Sequence, residues 1–214
     1  MTSPGFTLFE TPIGRCGVAW GPGGVVGVQL PEANVPATRA RLRQRFPEAR
    51  EVPPPADVQH VLDGILALLR GEARDLAAVP LDMDGVSPFH RRVYEAARTI
   101  PPGATRSYGE IAAQLGAPGS ARAVGQALGR NPFAIIVPCH RVLAAGGKVG
   151  GFSATGGTGT KRRLLAIEGA EEKGPLPLFA GDGALGFDPR RAVTHLRAAD
   201  AALARDRWPT RAAA

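Results

Sequence analysis

The stretch SYGEIAAQLGAPGSARAVGQALGRNPFAIIVPCHRVL, residues 107–143, decides the fold of this chain. Two short helices are predicted in it, SYGEIAAQLG (107–116) and SARAVGQALGRN (120–131), because a serine can cap each of them and the Gly-Ala-Pro-Gly link interrupts helical structure. Two short helices joined by a tight link outline a helix-turn-helix unit. The apolar run FAIIV (133–137) predicts a buried strand or an extended segment that leads to Cys139.

The N-terminal part of the chain has the pattern of a small sheet. Three short apolar segments, FTLFET (6–11), RCGVAW (15–20) and GVVGVQL (24–30), are separated by turns rich in proline and glycine, which are typical of β-hairpins. They predict a small antiparallel sheet. Two helices, ATRARLRQRF (37–46) and DVQHVLDGILALLRGE (57–72), are expected after the strands.

Capping and turn residues mark the next boundaries. Asp57 is expected to cap the second of these helices, and AAVPLDM (77–83) is expected to add a last strand. Ser87 and Pro88 then supply a cap and a first-turn proline for the helix FHRRVYEAARTI (89–100). The pattern therefore changes from mixed strands and helices to helices alone.

This change divides the chain into domains. A final core helix, KRRLLAIEGA (161–170), is expected to complete the helical part, and a further helix capped near Asp188 is expected in the tail. The pattern predicts an α+β fold in two domains, the second mostly helical and containing the helix-turn-helix unit and the Cys139 loop. The expected limits of the N-terminal α/β domain, the helical domain and a C-terminal extension are residues 1–84, 85–172 and 173–214.

Composition restricts the possible functions. The formal net charge is +7 and the sequence pI is near 10.4, with arginine supplying nearly all of the excess. This charge suits a polyanionic partner, and genome base composition explains it equally well. No apolar run reaches the roughly 20 residues of a membrane span, and no signal peptide is recognised, so a cytoplasmic location without a membrane partner is expected. The glycine-rich loop 146–160 lacks the Gly-Lys-Ser/Thr ending of a phosphate-binding loop, which argues against a nucleoside triphosphatase.

The two cysteines differ in their surroundings. Cys139 is preceded by Pro138 and followed by His140, so an imidazole can take the proton of a thiol that is nucleophilic only as the thiolate. The alternative is a buried structural cysteine beside a solvent-facing histidine. Cys16 lies in a strand pattern without a neighbouring histidine and is expected to be structural.

Several linked motifs resemble one protein family. IIVPCHRV (135–142) is similar to the active-site signature of the O6-alkylguanine-DNA alkyltransferases, the methylated-DNA–protein-cysteine S-methyltransferases, and SYGEIAAQLG, SARAVGQALGRNP, GGFS and LLAIEGA follow in the family's order. The resemblance covers residues 87–170 and implies a ribonuclease-H-like N-terminal domain. It also implies DNA repair by irreversible, single-turnover transfer of the alkyl group from O6-alkylguanine in duplex DNA, with base flipping. O4-alkylthymine is a second candidate substrate.

The resemblance assigns roles to residues around the thiol. Cys139 would be the alkyl acceptor, and His140 would act as its base through a water molecule. Glu168 would orient the imidazole, which follows the logic of a catalytic triad with different members. Asn131 would brace the segment that joins the second helix to the cysteine, and Arg141 is expected to support the loop.

The resemblance also implies a set of substrate contacts. Tyr108 would help to rotate the nucleotide out of the stack, and Arg122 would fill the space of the extruded base. Phe152 would form the pocket wall, where many relatives have tyrosine, and the Ser153 amide would bind guanine O6. Val142 would contact the exocyclic amine through its backbone. The small residues expected beside the DNA are Ser107, Ala121 and Ala123.

The resemblance implies no cofactor, and the chain is expected to be a monomer. Cys16, His60 and His90 fall at no familiar zinc-ligand spacing, so no metal is expected either. Two rival functions are considered, a non-catalytic protein that binds alkyl lesions or regulates transcription, and a cysteine hydrolase. The intact Pro-Cys-His-Arg motif argues against the first, and the second leaves Tyr108 and Arg122 unexplained.

Overall fold

A four-stranded sheet forms the N-terminal half of the computed structural model, which describes residues 3–170. The strands are β1 (Gly5–Phe9), β2 (Cys16–Gly21), β3 (Gly24–Gln29) and β4 (Arg50–Glu51), in the order β3-β2-β1-β4. The first three strands are antiparallel neighbours, as predicted. A fourth strand, β4, which was not predicted from the sequence, pairs with β1 in parallel.

Two helices belong to the N-terminal half, and the first of them packs against the sheet. Helix α1 (Val35–Arg45) begins after Asn34, whose side chain accepts a hydrogen bond from the Ala37 amide at 2.9 Å. Helix α2 (Ala56–Leu69) buries most of its apolar residues. The prediction that Asp57 caps α2 was wrong. The helix begins one residue earlier, and the Asp57 carboxylate accepts instead from the neighbouring amide within the first turn.

The strand predicted at 77–83 is reduced to one β-bridge, between Leu81 and Val25. Two reasons are visible in the structure. Pro80 has no amide hydrogen to donate to a ladder, although its carbonyl accepts from Val25 at 3.0 Å. The guanidinium of Arg98 also binds the carbonyls of residues 76, 77 and 79, which would otherwise face a neighbouring strand.

The helical half contains the predicted helix-turn-helix unit. Its helices are α3 (Pro88–Arg98), α4 (Tyr108–Gln114), α5 (Ala121–Gly129) and α6 (Gly157–Ile167). Helix α4 begins with a capping box, in which the Ser107 hydroxyl accepts from the Glu110 amide and the Glu110 carboxylate accepts from the Ser107 amide. Ser87 caps α3 as expected, whereas Ser120 precedes α5 without a side-chain cap bond.

The run 133–137 is buried, but it is a tight turn and not a strand or extended segment. Ile135 adopts a left-handed backbone with φ 73°, and Ala134 and Val137 form a β-bridge across the turn. Only Phe133 pairs with the sheet, through a bridge to Val28 of β3. After a 3₁₀ turn, the chain forms a two-residue strand β6 (Val142–Leu143), which pairs in parallel with β5 (Arg106–Ser107).

Helix α6 begins at Gly157, four residues before the predicted start at Lys161, because Gly156 takes a left-handed conformation (φ 84°) at the N-cap position. The predicted tail helix near Asp188 lies outside the described residues. The limits 1–84, 85–172 and 173–214 stay predictions. No helix between residues 3 and 170 is both long enough and apolar enough to cross a membrane.

Candidate active site

The thiol of Cys139 lies at the start of the 3₁₀ turn Cys139–Arg141, between the turn 133–137 and β6. The residue is buried, with 9% of its surface exposed. Burial raises the pKa of the Cys139 thiol, and the side chain of Asn131, the charge of Lys161 and nearby backbone amides act in the opposite direction. A base and a positive environment are therefore needed to make the thiolate.

His140, Arg141 and Glu168 form a buried polar cluster beside the cysteine. Nε2 of His140 lies 2.9 Å from Oε1 of Glu168. The Arg141 guanidinium binds the same carboxylate through Nε and Nη2, both at 2.8 Å, and donates through Nη1 to the Ile100 carbonyl. Glu168 is the C-cap residue of α6, where the helix macrodipole disfavours a carboxylate, so its contacts with His140 and Arg141 offset an unfavourable position.

The cluster sets the protonation states of its members. Burial alone would raise the pKa of Glu168, but hydrogen bonds and charge from His140 and Arg141 outweigh it and hold this pKa at about 2. Burial lowers the pKa of His140, against the opposing effect of Glu168. Glu168 is therefore ionised, with Arg141 as its cation and His140 as a neutral donor.

The tautomer of His140 follows from this arrangement. An ionised carboxylate only accepts hydrogen bonds, so the ring hydrogen lies on Nε2. Nδ1 then carries a lone pair. That atom is buried and has no hydrogen-bond partner among the described residues. The free lone pair is the form that a general base requires.

Asn131 connects the helix-turn-helix unit to the cysteine. Its Nδ2 donates to the Val137 carbonyl at 2.9 Å, and its Oδ1 accepts from the Phe133 amide at 2.9 Å. The side chain thus spans the base of the turn 133–137 and holds Ile135 in its left-handed conformation. The predicted bracing by Asn131 has this geometry, and the same side chain also lowers the pKa of Cys139.

Lys161 is a functional candidate that the sequence analysis missed. Its side chain is fully buried, and Nζ donates to the Val142 carbonyl at 2.6 Å and lies 5.6 Å from the centre of the Tyr108 ring. Burial lowers the pKa of Lys161 to about 8, against the opposing effect of Cys139. A helical spacing was available as a signal, since residues 161, 164, 165 and 168 share one face of α6.

The predicted substrate residues fall into two groups, and the first consists of Tyr108 and Val142. Tyr108 begins α4 and is half-buried. Methyl groups added to Gly125 or Gly150 would lie 3.8 or 3.6 Å from its ring, so both glycines border it. Burial, followed by the effect of Cys139, raises the pKa of the Tyr108 hydroxyl. Val142 is buried, and its carbonyl accepts the hydrogen bond from Lys161. The structure therefore places both Tyr108 and Val142 in contact with Lys161.

Other substrate residues lie farther out. Arg122 is exposed on α5, and its neighbours Ala121 and Ala123 are half-buried. Phe152 is half-buried and Ser153 exposed in the loop between β6 and α6. Ser107 uses its hydroxyl to cap α4. These residues are not part of the hydrogen-bonded cluster around Cys139.

Cys16 has the surroundings of a structural residue. It is fully buried in β2, its Sγ lies 3.6 Å from the Thr11 hydroxyl, and burial raises the pKa of its thiol to about 12. Between residues 3 and 170, no group of three or more His, Cys, Asp or Glu side chains could hold a metal ion. The reactive features of the described chain therefore converge on Cys139.

Comparison with known proteins identifies the family. A family model described as the DNA-binding domain of 6-O-methylguanine DNA methyltransferase matches residues 88–170. The methylated-DNA–protein-cysteine methyltransferase of Mycobacterium bovis is 47% identical over 140 residues, which are 64% of this chain and 82% of that protein. The chain belongs to the methylated-DNA–protein-cysteine methyltransferase family. The motifs around Cys139 are those of this methyltransferase family, and the predicted resemblance is confirmed.

Solved structures of the methyltransferase family share the fold. The Mycobacterium tuberculosis O6-methylguanine methyltransferase is 39% identical, with a TM-score of 0.63 over 82% of this chain and 98% of that one. The M. tuberculosis OGT in complex with DNA is 40% identical, with a TM-score of 0.62 over 78% and 96% of the two chains. The α+β fold expected from the sequence is therefore that of the methyltransferase family.

Proposed function

We propose that this protein repairs DNA by moving the alkyl group of O6-alkylguanine, in duplex DNA, onto Sγ of Cys139. The observation that carries this proposal is the position of the thiol. It lies beside a neutral histidine that a buried Glu168 orients, and it directly follows a helix-turn-helix unit. The family to which the chain belongs supports the same reaction.

The first step is removal of the thiol proton. His140 Nδ1 accepts this proton through a bridging water, because its Nε2 hydrogen is held by Glu168. The imidazolium that forms is stabilised by the ionised Glu168. Lys161 adds a positive charge near the sulfur and lowers the pKa of Cys139. The electrostatic cost of a buried thiolate is thereby reduced.

The second step is displacement at the alkyl carbon. Thiolate Sγ forms a bond to this carbon, and the bond from carbon to O6 breaks with its electron pair moving to O6. The Tyr108 hydroxyl and the Ser153 amide stabilise the guanine as charge develops. The proton taken up by His140 in the first step then returns to the leaving guanine. A thioether is not hydrolysed under these conditions, so each molecule turns over once.

The helix-turn-helix unit presents the lesion to the thiol. The O6 atom of a stacked guanine cannot meet the sulfur in line, so the nucleotide must leave the stack. Tyr108 assists this rotation, Arg122 fills the vacated space, and the small residues Ser107, Ala121 and Ala123 permit close approach of the helices. Phe152 and the Val142 backbone then contact the base. O4-alkylthymine is a second candidate substrate for the same pocket.

Intact-protein mass after reaction with duplex DNA containing O6-methylguanine tests this function. We expect a gain of one methylene, about 14 Da, that peptide mapping assigns to Cys139. Unmodified duplex of the same sequence is the control and is expected to leave the mass unchanged. Tight binding of the lesion without any mass gain would instead identify a protein that only binds the lesion.

Lys161→Met is expected to slow transfer by about 100-fold, because it removes a buried positive charge beside the thiolate. In the wild type, Lys161 loses its charge as pH rises through about 8, so the single-turnover rate is expected to fall above that pH. The rate of Lys161→Met is expected not to fall in this pH range, because methionine has no charge to lose. Lys148→Met changes an exposed lysine of the same chain and serves as the control. Equal rates for the two variants would contradict the role of Lys161.

We also propose a cytoplasmic location. Cys16 and Cys139 are both free cysteines, and the reaction requires a reduced thiol, which the cytosol maintains.

A further inference from the structure

A chain of polar contacts joins the N-terminal sheet to the loop 150–156, which carries Phe152 and Ser153. The Glu32 carboxylate is its centre. Oε2 of Glu32 accepts a hydrogen bond from the Thr155 hydroxyl, and Oε1 accepts from Gln29 Nε2 at 3.0 Å. The contact with Thr155 joins residues that are 123 positions apart in the sequence.

Glu32 itself is held rigidly. Its amide donates to the hydroxyl of Thr38 at 3.0 Å, and Thr38, buried in α1, donates in turn to the Asn34 carbonyl at 3.1 Å. The partner Gln29 is also buried at the end of β3. Glu32, just after β3, is therefore held by hydrogen bonds through both its backbone amide and its carboxylate.

The same chain of contacts reaches Pro132, at the start of the turn 133–137. Gln29 Oε1 accepts from Arg45 Nη1 at 2.9 Å, and Arg45 Nη2 lies 3.4 Å from the Pro132 carbonyl. That carbonyl also accepts from the Val28 amide at 2.8 Å. Pro132 directly follows Asn131, which braces the cysteine segment. The loop 150–156 and the segment that leads to Cys139 are thus tied to the same edge of the sheet.

The loop 150–156 depends on such an anchor. Gly150, Gly151 and Gly156 give its backbone more conformational freedom than other residues would. Thr155 is exposed, but its hydroxyl is held by Glu32 and its carbonyl accepts from the Thr160 hydroxyl at 2.7 Å. The side chain thus links the loop to the sheet, while the backbone links it to α6.

We infer that Glu32 is a positioning residue that sets the size of alkyl group the pocket accepts. By holding Thr155, it fixes the wall formed by Phe152 and Ser153 relative to Cys139. This inference rests on the proposed function. Without the hydrogen bond between Thr155 and Glu32, the wall formed by Phe152 and Ser153 moves away from Cys139 more easily. Large groups such as benzyl then gain access, and methyl, which needs little room, is affected less.

The test compares single-turnover transfer of benzyl and methyl from the O6 position of guanine in the same duplex. Glu32→Ala and Thr155→Val are each expected to raise the benzyl-to-methyl rate ratio about 5-fold, the effect of losing one hydrogen bond of ordinary strength. The double variant is expected to match the single ones, since both changes remove the same bond. Glu32→Gln keeps one acceptor oxygen for Thr155 but turns an amide donor towards Gln29 Nε2, so its ratio is expected between those of the wild type and Glu32→Ala.

Glu48→Ala changes an exposed glutamate of the same half of the chain and is the matched control. An unchanged ratio in both Glu32→Ala and Thr155→Val, with normal methyl transfer, would overturn the inference and leave the proposed function intact. Absence of methyl transfer by the wild type would contradict both the proposed function and the inference about Glu32. Hydrogen exchange of the peptide 150–156 gives a second readout, expected to rise in both variants and not in the control. Unchanged exchange would contradict the anchoring role directly.

Discussion

Cys139→Ala is expected to transfer no alkyl group while it still binds duplex DNA containing O6-methylguanine. The substitution removes the only atom that forms a bond to the substrate, and no neighbouring side chain can replace it. His140 Nδ1 has a lone pair but reaches the thiol position only through a water, and the Lys161 ammonium has no lone pair and is engaged with the Val142 carbonyl. Because the wild-type reaction ends in a covalent product, this effect is the largest that one substitution can have on activity. Intact-protein mass measures transfer, and gel-shift titration measures binding.

Cys16→Ala is the matched control for this prediction. It removes the other buried cysteine, whose thiol has a pKa of about 12 and no histidine beside it. We expect full transfer to Cys139 and a loss of about 1 kcal/mol in the free energy of unfolding, from the small cavity left by the sulfur. A mass gain in Cys139→Ala, or its absence in Cys16→Ala, would show that the acceptor has been wrongly assigned.

Glu168→Gln is expected to have the largest effect on stability and to slow transfer as well. It leaves the buried guanidinium of Arg141 without its carboxylate partner, in a site where Glu168 is only 3% exposed. Breaking a buried ion pair on one side costs about 3 to 5 kcal/mol in the free energy of unfolding. The variant also loses the anion that orients His140. Urea denaturation and single-turnover kinetics measure the two effects.

The pH dependence of stability separates this charge effect from simple loss of packing. The pKa of Glu168 is about 2 in the folded protein and 4.5 in its ordinary state. A depressed carboxyl pKa stabilises the fold above about pH 4.5, and this contribution is lost as pH falls towards 2. The shift corresponds to about 3 kcal/mol. In Glu168→Gln this part of the pH dependence is expected to be missing.

Glu72→Gln removes an exposed carboxylate from the N-terminal half and is the control. We expect it to change the free energy of unfolding by less than about 0.5 kcal/mol and to leave transfer unchanged. Comparable stability of Glu168→Gln and Glu72→Gln would contradict the importance of the buried cluster.

The sequence by itself determined the local features of this protein. The two short helices of the helix-turn-helix unit, the hairpins at the N-terminus and the Pro-Cys-His-Arg tetrapeptide follow from residues within a few positions of one another. Such signals act through backbone geometry and neighbouring side chains, so they need no knowledge of the rest of the chain.

The tertiary structure alone decided how these pieces cooperate. It turned the apolar run 133–137 into a left-handed turn, because Asn131 and the sheet hold that segment from two sides. It buried Lys161 beside Tyr108 and paired the Arg141 guanidinium with the carboxylate of Glu168, 27 residues away in the sequence. These contacts join elements distant in sequence, and their energies depend on burial and charge at the place where those elements meet. No local pattern records that place, which is why the Cys139–His140 pair could be proposed from the sequence, whereas the burial of Lys161 and the contact between Arg141 and Glu168 could not.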